Sequence, residues 1–208
     1  MRTIKNILIK IHPKVYEPAE DSELLLDNLV NVKNKIVLDV GTGTGIQAIN
    51  AIKRGAKKVV GIDINPYAIK TAKENALLNK LKLNEDIFFF ESDLFKNMGE
   101  IKNKLNINRF DVILFNAPYL PTSKEEKLEK YLNYAFDGGI DGRKVLDRFI
   151  DEVGDYLKEN GIIQIVQSSL TGEEKTLKLL KKHGFRAKKT ASMKFPYEEV
   201  QIILAKHI

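Results

Sequence analysis

The chain alternates short apolar runs with segments of helical spacing, and that alternation constrains its fold more than any other feature. Runs at 35–40, 58–64, 86–91, 110–115 and 161–166 are each nearly continuous in branched and aromatic residues. Strands of that kind are covered on both faces, which points to a parallel sheet with helices on either side. Between them, Asn65 followed by Pro66 predicts a capped helix running to about Asn79. After the fifth run the rhythm changes. Segments 185–194 and 199–206 come without a helix between them, which predicts a closing antiparallel hairpin. The expected fold is α/β: a seven-stranded, doubly wound, Rossmann-like sheet with a C-terminal antiparallel hairpin, in a single domain over 1–208. Ahead of the first strand, 19–29 predicts an amphipathic helix.

Composition narrows the chemistry by exclusion. The 208 residues contain no cysteine, which removes disulfides, thiol nucleophiles and thiolate metal sites. His12, His183 and His207 stand singly, and no cluster has metal-ligand spacing, so no metal is expected. No apolar stretch is long enough to cross a bilayer, and the N-terminus lacks the apolar core of a secretory signal. A cytoplasmic protein is the expectation. The formal net charge is +6, and much of the excess lies in 175–194, where eight Lys and Arg residues meet no acid. That stretch could be a patch for RNA, but Leu177 and Leu180 give it the pattern of an amphipathic helix with a wet basic face. Its lysines lack interleaved aromatics before Phe185, so direct nucleic-acid binding is the less favoured reading.

In an open α/β sheet, ligands bind beyond the carboxyl ends of the strands. Asn116-Ala117-Pro118-Tyr119 directly follows the fourth run. A carboxamide, a rigid turn and an aromatic ring at that edge could grip a planar nitrogen-bearing group. After the first run, Asp39-Val40-Gly41-Thr42-Gly43-Thr44-Gly45 makes a glycine-rich turn. Its spacing is Gly-x-Gly-x-Gly, not the Gly-x-Gly-x-x-Gly that seats a pyrophosphate. Asp39 beside it would repel a diphosphate and would suit a cationic ligand, such as the sulfonium or amino group of S-adenosylmethionine. Asp63, with Ile64 beside it, ends the second run where an acid can accept bonds from ribose hydroxyls. Asp93 and Leu94, after the third run, offer a carboxylate and an apolar wall for adenine, although an Asp there is also an ordinary turn former.

Together these residues resemble class I S-adenosylmethionine-dependent methyltransferases, specifically the protein N5-glutamine methyltransferases of translation release factors, in their compact eukaryotic and archaeal branch. Four segments carry the resemblance: 15–22 (Val-Tyr-Glu-Pro-Ala-Glu-Asp-Ser), 38–45, 116–119, and 136–143 (Phe-Asp-Gly-Gly-Ile-Asp-Gly-Arg). It implies the seven-stranded methyltransferase sheet, S-adenosylmethionine as cofactor and S-adenosylhomocysteine as product. Asp39, Gly41 and Gly43 would line the methionine and ribose side, Asp63 would hold the ribose hydroxyls, Asp93 with the Leu94 backbone would read the adenine, and Ile64 and Asn116 would also contact the cofactor. Residues 1–33 would cap the cofactor site, with Glu20, Asp21 and Ser22 closing over it. The resemblance also implies a protein substrate, a release factor methylated on the glutamine of its Gly-Gly-Gln motif, and a small zinc-binding activator subunit as a possible partner. The family commonly has Asn-Pro-Pro-Tyr; here Ala117 replaces the first proline, so residue 117 must act through its backbone.

An amide nitrogen is a poor nucleophile because its lone pair is delocalised. A site that accepts both N–H protons and aims the lone pair needs no strong base. The Asn116 side-chain oxygen and the Ala117 carbonyl are the expected acceptors, with Pro118 and Tyr119 shaping the pocket. Three alternatives share parts of this pattern: an adenine-N6 methyltransferase on DNA or RNA, a protein lysine methyltransferase, and a non-enzymatic scaffold that only binds the cofactor. The first usually needs a basic target-recognition region, which has no separate place in this chain. The intact Asn116 and full set of acids weigh against the last. The long 120–140 connection is expected to cover the substrate, with a solvated helix over 124–130.

Overall fold

The computed structural model describes residues 1–120 and 135–208; the helix expected over 124–130 lies outside the described residues. Seven strands form one sheet: β3 (Ile36–Val40), β4 (Lys58–Asp63), β5 (Ile87–Glu91), β6 (Phe110–Asn116), β7 (Leu157–Ser168), β8 (Phe185–Lys194) and β9 (Glu199–His207). Their spatial order is β5-β4-β3-β6-β7-β9-β8. The first five run parallel, and β9 lies antiparallel between β7 and β8. The five parallel runs and the closing hairpin are where the apolar pattern puts them. Which hairpin strand goes inside follows from composition. Val200, Ile202, Ile203 and Ala205 of β9 are buried on both faces, whereas β8 carries Arg186 and Lys188 exposed at the sheet edge.

Six helices are placed among the described residues: α1 (Glu20–Asp27), α2 (Ile46–Lys53), α3 (Pro66–Leu78), α4 (Met98–Leu105), α5 (Lys144–Val153) and α6 (Glu173–Lys182). The Asn65 side chain caps α3 by accepting from the Tyr67 N–H at 2.9 Å, and Pro66 opens the first turn, as the sequence predicts. One apolar cluster joins α4, α5 and α6 to the sheet through Met98, Ile101, Phe149 and Leu180. The opposite face buries Ile46, Ile49, Ile69 and Ala72 of α2 and α3, and Leu24 and Leu25 of α1 pack over Val166 and Ile202. Each such fully buried large apolar side chain contributes about 1.5–3 kcal/mol. Only the first part of the basic stretch is the amphipathic helix as read: on α6, Leu180 is buried and Leu177 packs on the same core, whereas Arg186, Lys188, Lys189 and Lys194 lie on β8, where Lys189 pairs with Glu173 and Glu199.

A two-stranded ribbon, β1 (Arg2–Ile4) and β2 (Ile7–Ile9), is an element the sequence pattern did not announce. Its turn holds Lys5 and Asn6 at φ 48° and 64°, the geometry of a two-residue hairpin normally marked by Asn-Gly. Ile4, Ile7 and Ile9 bury one side of it against α2 and α3. Two carboxamides one turn apart, Asn75 on α3 and Asn79 at its C-cap, hold the ribbon. Asn75 accepts from the Lys10 N–H at 2.8 Å and donates to its carbonyl at 3.0 Å, and Asn79 does the same for Leu8 at 3.1 and 2.7 Å. This docking directs residues 10–19 across the carboxyl end of the sheet. The Asn65 side-chain amide fixes the path there by donating to the Lys14 carbonyl at 2.7 Å.

Candidate active site

The strand order reverses between β3 and β6, which opens the crevice at the point where an α/β sheet receives a ligand. Val40 stands opposite Phe115 in the register, so the next residues, Gly41 and Asn116, leave the sheet side by side. A cavity of about 430 Å³ lies over this point. Asp21, Ser22, Asp39, Gly41, Gly43, Asp63, Ile64, Asp93, Leu94 and all four residues of 116–119 line it, so thirteen of the fourteen site residues named from the sequence converge there. Glu20 stands apart, exposed on the outer side of α1. A helix turns about 100° per residue, and in this first turn Asp21 and Ser22 face inward while Glu20 faces water.

The turn after β3 winds tightly because Gly41 and Gly43 take φ +65° and +55°, a region that favours glycine. It holds two carboxyl groups in different ways. Asp39 is 2% exposed, and the Thr42 hydroxyl donates to it at 2.6 Å. Burial pushes its pKa up to about 7 against the opposing pull of Thr42 and the Ala48 backbone N–H. Asp63 accepts from the Gly43 and Asn65 backbone N–H groups, both at 2.9 Å. Burial raises its pKa to about 6, with those N–H donors opposing. At the end of β5, Asp93 meets the Arg148 guanidinium of α5 at 3.2 Å. Leu94 follows at φ 47°, a left-handed turn costing about 1–2 kcal/mol, with its carbonyl held by the Ser92 hydroxyl at 2.7 Å.

Asn116 ends β6 with its carboxamide split between two environments. Its Nδ2 donates to Asp21 Oδ2 at 2.9 Å, while its buried Oδ1 has no hydrogen-bond partner among the described residues. Asp21 also accepts from the Tyr16 hydroxyl at 3.0 Å and, more loosely, from that of Tyr119 at 3.5 Å. Burial, reinforced by the Asp21 carboxylate, pushes both phenols far above their ordinary pKa, so both remain neutral donors. Tyr16 packs edge-on against Phe136, centroids 5.2 Å apart, which brings the 15–22 and 136–143 segments together over the cavity. Glu198, fixed by the Ser168 hydroxyl at 2.5 Å, closes the side near Tyr119. Sequence reasoning does not single out Glu198, Arg148 or Tyr16. Only Tyr16 has a local signal, its place in the 15–22 motif.

A buried orphan acceptor beside three carboxyl groups on adjacent strand ends is a donor-hungry, cation-tolerant site. It fits S-adenosylmethionine, whose sulfonium and amino group are cationic and whose ribose and adenine carry donors. Comparison with known proteins agrees. A family model described as ribosomal protein L11 methyltransferase (PrmA) matches residues 23–117, from within α1 to just past the end of β6. The chain is 58% identical to a candidate protein N5-glutamine methyltransferase of Methanocaldococcus jannaschii, over 97% of this chain and 96% of that one. It is 31% identical to methyltransferase HEMK2 of Homo sapiens, covering 91% and 88% of the two chains. Among solved structures, a chain of the E. cuniculi Mtq2–Trm112 complex responsible for methylation of the eRF1 termination factor superposes with a TM-score of 0.68. That match has 26% identity and covers 94% of this chain and 99% of that one.

Proposed function

The chain belongs to the protein N5-glutamine methyltransferases, S-adenosylmethionine-dependent enzymes, and from that premise we propose that it methylates the glutamine of the Gly-Gly-Gln motif of a translation release factor. One observation carries the reading: Asn116 Oδ1 is buried, lacks a partner among the described residues and belongs to a residue lining the cavity, while Nδ2 of the same amide is committed to Asp21. A substrate carboxamide brings two N–H donors. Asn116 Oδ1 accepts one and the Ala117 carbonyl the other, leaving the nitrogen lone pair aimed along the cavity. When bound, S-adenosylmethionine would supply the electrophilic methyl group; the amide nitrogen would gain that methyl and lose one N–H proton to water, and the displaced thioether would be S-adenosylhomocysteine. Asp39, Gly41, Gly43, Asp63, Ile64, Asp93 and Leu94 hold the cofactor, and Ser22 with residues 1–33 caps it. Pro118 and Tyr119 wall the acceptor side.

The protein substrate is supported by the relatives' names and by the eRF1 methylation attributed to the E. cuniculi complex. That complex pairs two chains, which also supports a small activator subunit, zinc-binding as the family resemblance implies, as a partner. Translation factors as targets fit a cytoplasmic enzyme. The test is transfer of labelled methyl to an archaeal release factor, beside the same factor with its Gly-Gly-Gln glutamine replaced. Label should appear on the first and not on the second. Asn116→Ala should lower turnover by roughly 100- to 1,000-fold, about 3–4 kcal/mol of transition-state stabilisation, with cofactor binding retained. Labelling that survives loss of the glutamine, or near-normal turnover by Asn116→Ala, would overturn the assignment.

A further inference from the structure

We propose that Asp21 is a positioning residue for methyl transfer: it fixes and polarises the Asn116 carboxamide so that Oδ1 is presented to the acceptor amide. The inference rests on the reading of Asn116 as the acceptor group, and it moves Asp21 from cofactor capping to the acceptor side of the cavity. An amide side chain has two ends of nearly equal shape, one donating and one accepting, and a rotation about its last bond exchanges them. Turned the wrong way, Asn116 would offer two N–H groups to a substrate that itself brings N–H groups, and nothing would bind productively. A carboxylate has only acceptors, so Asp21 Oδ2 at 2.9 Å admits the Nδ2 end and no other.

The rest of the site holds Asp21 to that task. Its Oδ1 accepts from the Ser22 backbone N–H at 2.5 Å, the Ser22 hydroxyl at 3.2 Å and the Tyr16 hydroxyl at 3.0 Å. Oδ2 is thereby turned toward Asn116, with the Tyr119 hydroxyl behind it at 3.5 Å. These donors come from the 15–22 segment and the 116–119 segment, 95 residues apart for the Asp21–Asn116 pair. Asp21 is 6% exposed, so water competes little for its lone pairs. A charge-assisted bond to Nδ2 also draws electron density through the amide toward Oδ1, making it a stronger acceptor. The two ends of the Asn116 carboxamide thus divide the labour: Nδ2 anchors, and Oδ1 works.

The experiment uses the full chain with an archaeal release factor as acceptor. Asp21→Asn should lower kcat roughly 10- to 100-fold, the value of a charge-assisted hydrogen bond, with KM and cofactor affinity changed far less. The swap Asp21→Asn/Asn116→Asp returns a carboxylate–amide pair with an acceptor oxygen facing the substrate, and it should recover activity above Asp21→Asn alone. A merely structural Asp21 predicts no such recovery. A second arm needs no substrate. By nitrogen-resolved NMR, the Asn116 side-chain NH2 should be shifted and protected from exchange in the wild type, and should lose both properties in Asp21→Asn. Unchanged kcat in Asp21→Asn, no recovery in the swap, or an Asn116 NH2 indifferent to residue 21 would each overturn the proposal. A wild-type enzyme silent on the release factor would instead sink the substrate reading, and the NMR arm would still decide the role of Asp21.

Discussion

Asp39 shows how one residue can set stability against binding. Its carboxyl is buried and holds its proton up to about pH 7, far above its ordinary value of 3.8. The folded chain therefore keeps a proton that the unfolded chain has already released across pH 4–7. Folding stability falls as pH rises through that window and levels off above it; Asp63, raised to about 6, adds a smaller fall of the same sign. The cofactor reverses the preference, because a sulfonium or ammonium favours the ionised carboxylate. Asp39→Asn removes the buried charge. Without cofactor, its melting temperature should exceed the wild type's by a margin that grows from pH 5 to pH 7 and then stays constant. Titration calorimetry should show the opposite for ligand: wild-type affinity weakens as pH drops below about 7, and the variant is weak throughout. A margin that does not change with pH would mean the Asp39 carboxyl is not being forced to hold its proton by the fold.

Among the elements, the 136–143 turn is the part whose role emerges only in three dimensions. Gly142 sits at φ +71°, and a Cβ there would collide with the Tyr119 carbonyl oxygen. The buried Arg143 clamps the turn by donating to the Thr171 carbonyl at 2.7 Å and the Thr176 hydroxyl at 2.9 Å, while pairing with Asp147. Gly142→Ala should therefore cost at least about 1–2 kcal/mol from backbone conformation alone, and more from pushing residue 119 away from the site. Its melting temperature should drop, and turnover should fall more than cofactor affinity does; a variant with normal turnover would separate this turn from the acceptor pocket. The strands are plain in the sequence because five of them are buried on both faces and so are apolar throughout. The strand-end acids, glycines and Asn116 are plain because parallel topology brings every carboxyl end to one edge. Contacts such as Arg148 with Asp93, or Glu198 beside Tyr119, depend on how distant elements meet and leave no local pattern. The β1–β2 ribbon escapes notice for a different reason: three-residue strands joined by Lys5-Asn6 carry neither the length nor the glycine that marks a hairpin.

At the scale of the molecule, an open sheet leaves two edges, and here the basic excess is concentrated at one of them. Strand β8 pairs only with β9 among the described residues, so its other side presents unpaired backbone groups to solvent. Phe185 and Ala187 turn toward the core, while Arg186 and Lys188 stand exposed along the same strand. Charge on an edge strand blocks pairing with a second sheet, because a partner strand would have to desolvate it. This accounts for cations in that strand without any nucleic acid. Arg186→Val/Lys188→Val replaces two exposed side chains and lowers the formal net charge by two from +6. Neither residue packs in the core, so the melting temperature should stay at the wild-type value. Valine favours extended backbone and removes the barrier, so sedimentation velocity should show concentration-dependent association beyond that of the wild type. If the variant sediments like the wild type and instead loses affinity for RNA with a reduced salt dependence, the lysine-rich face serves a polyanion and not the edge.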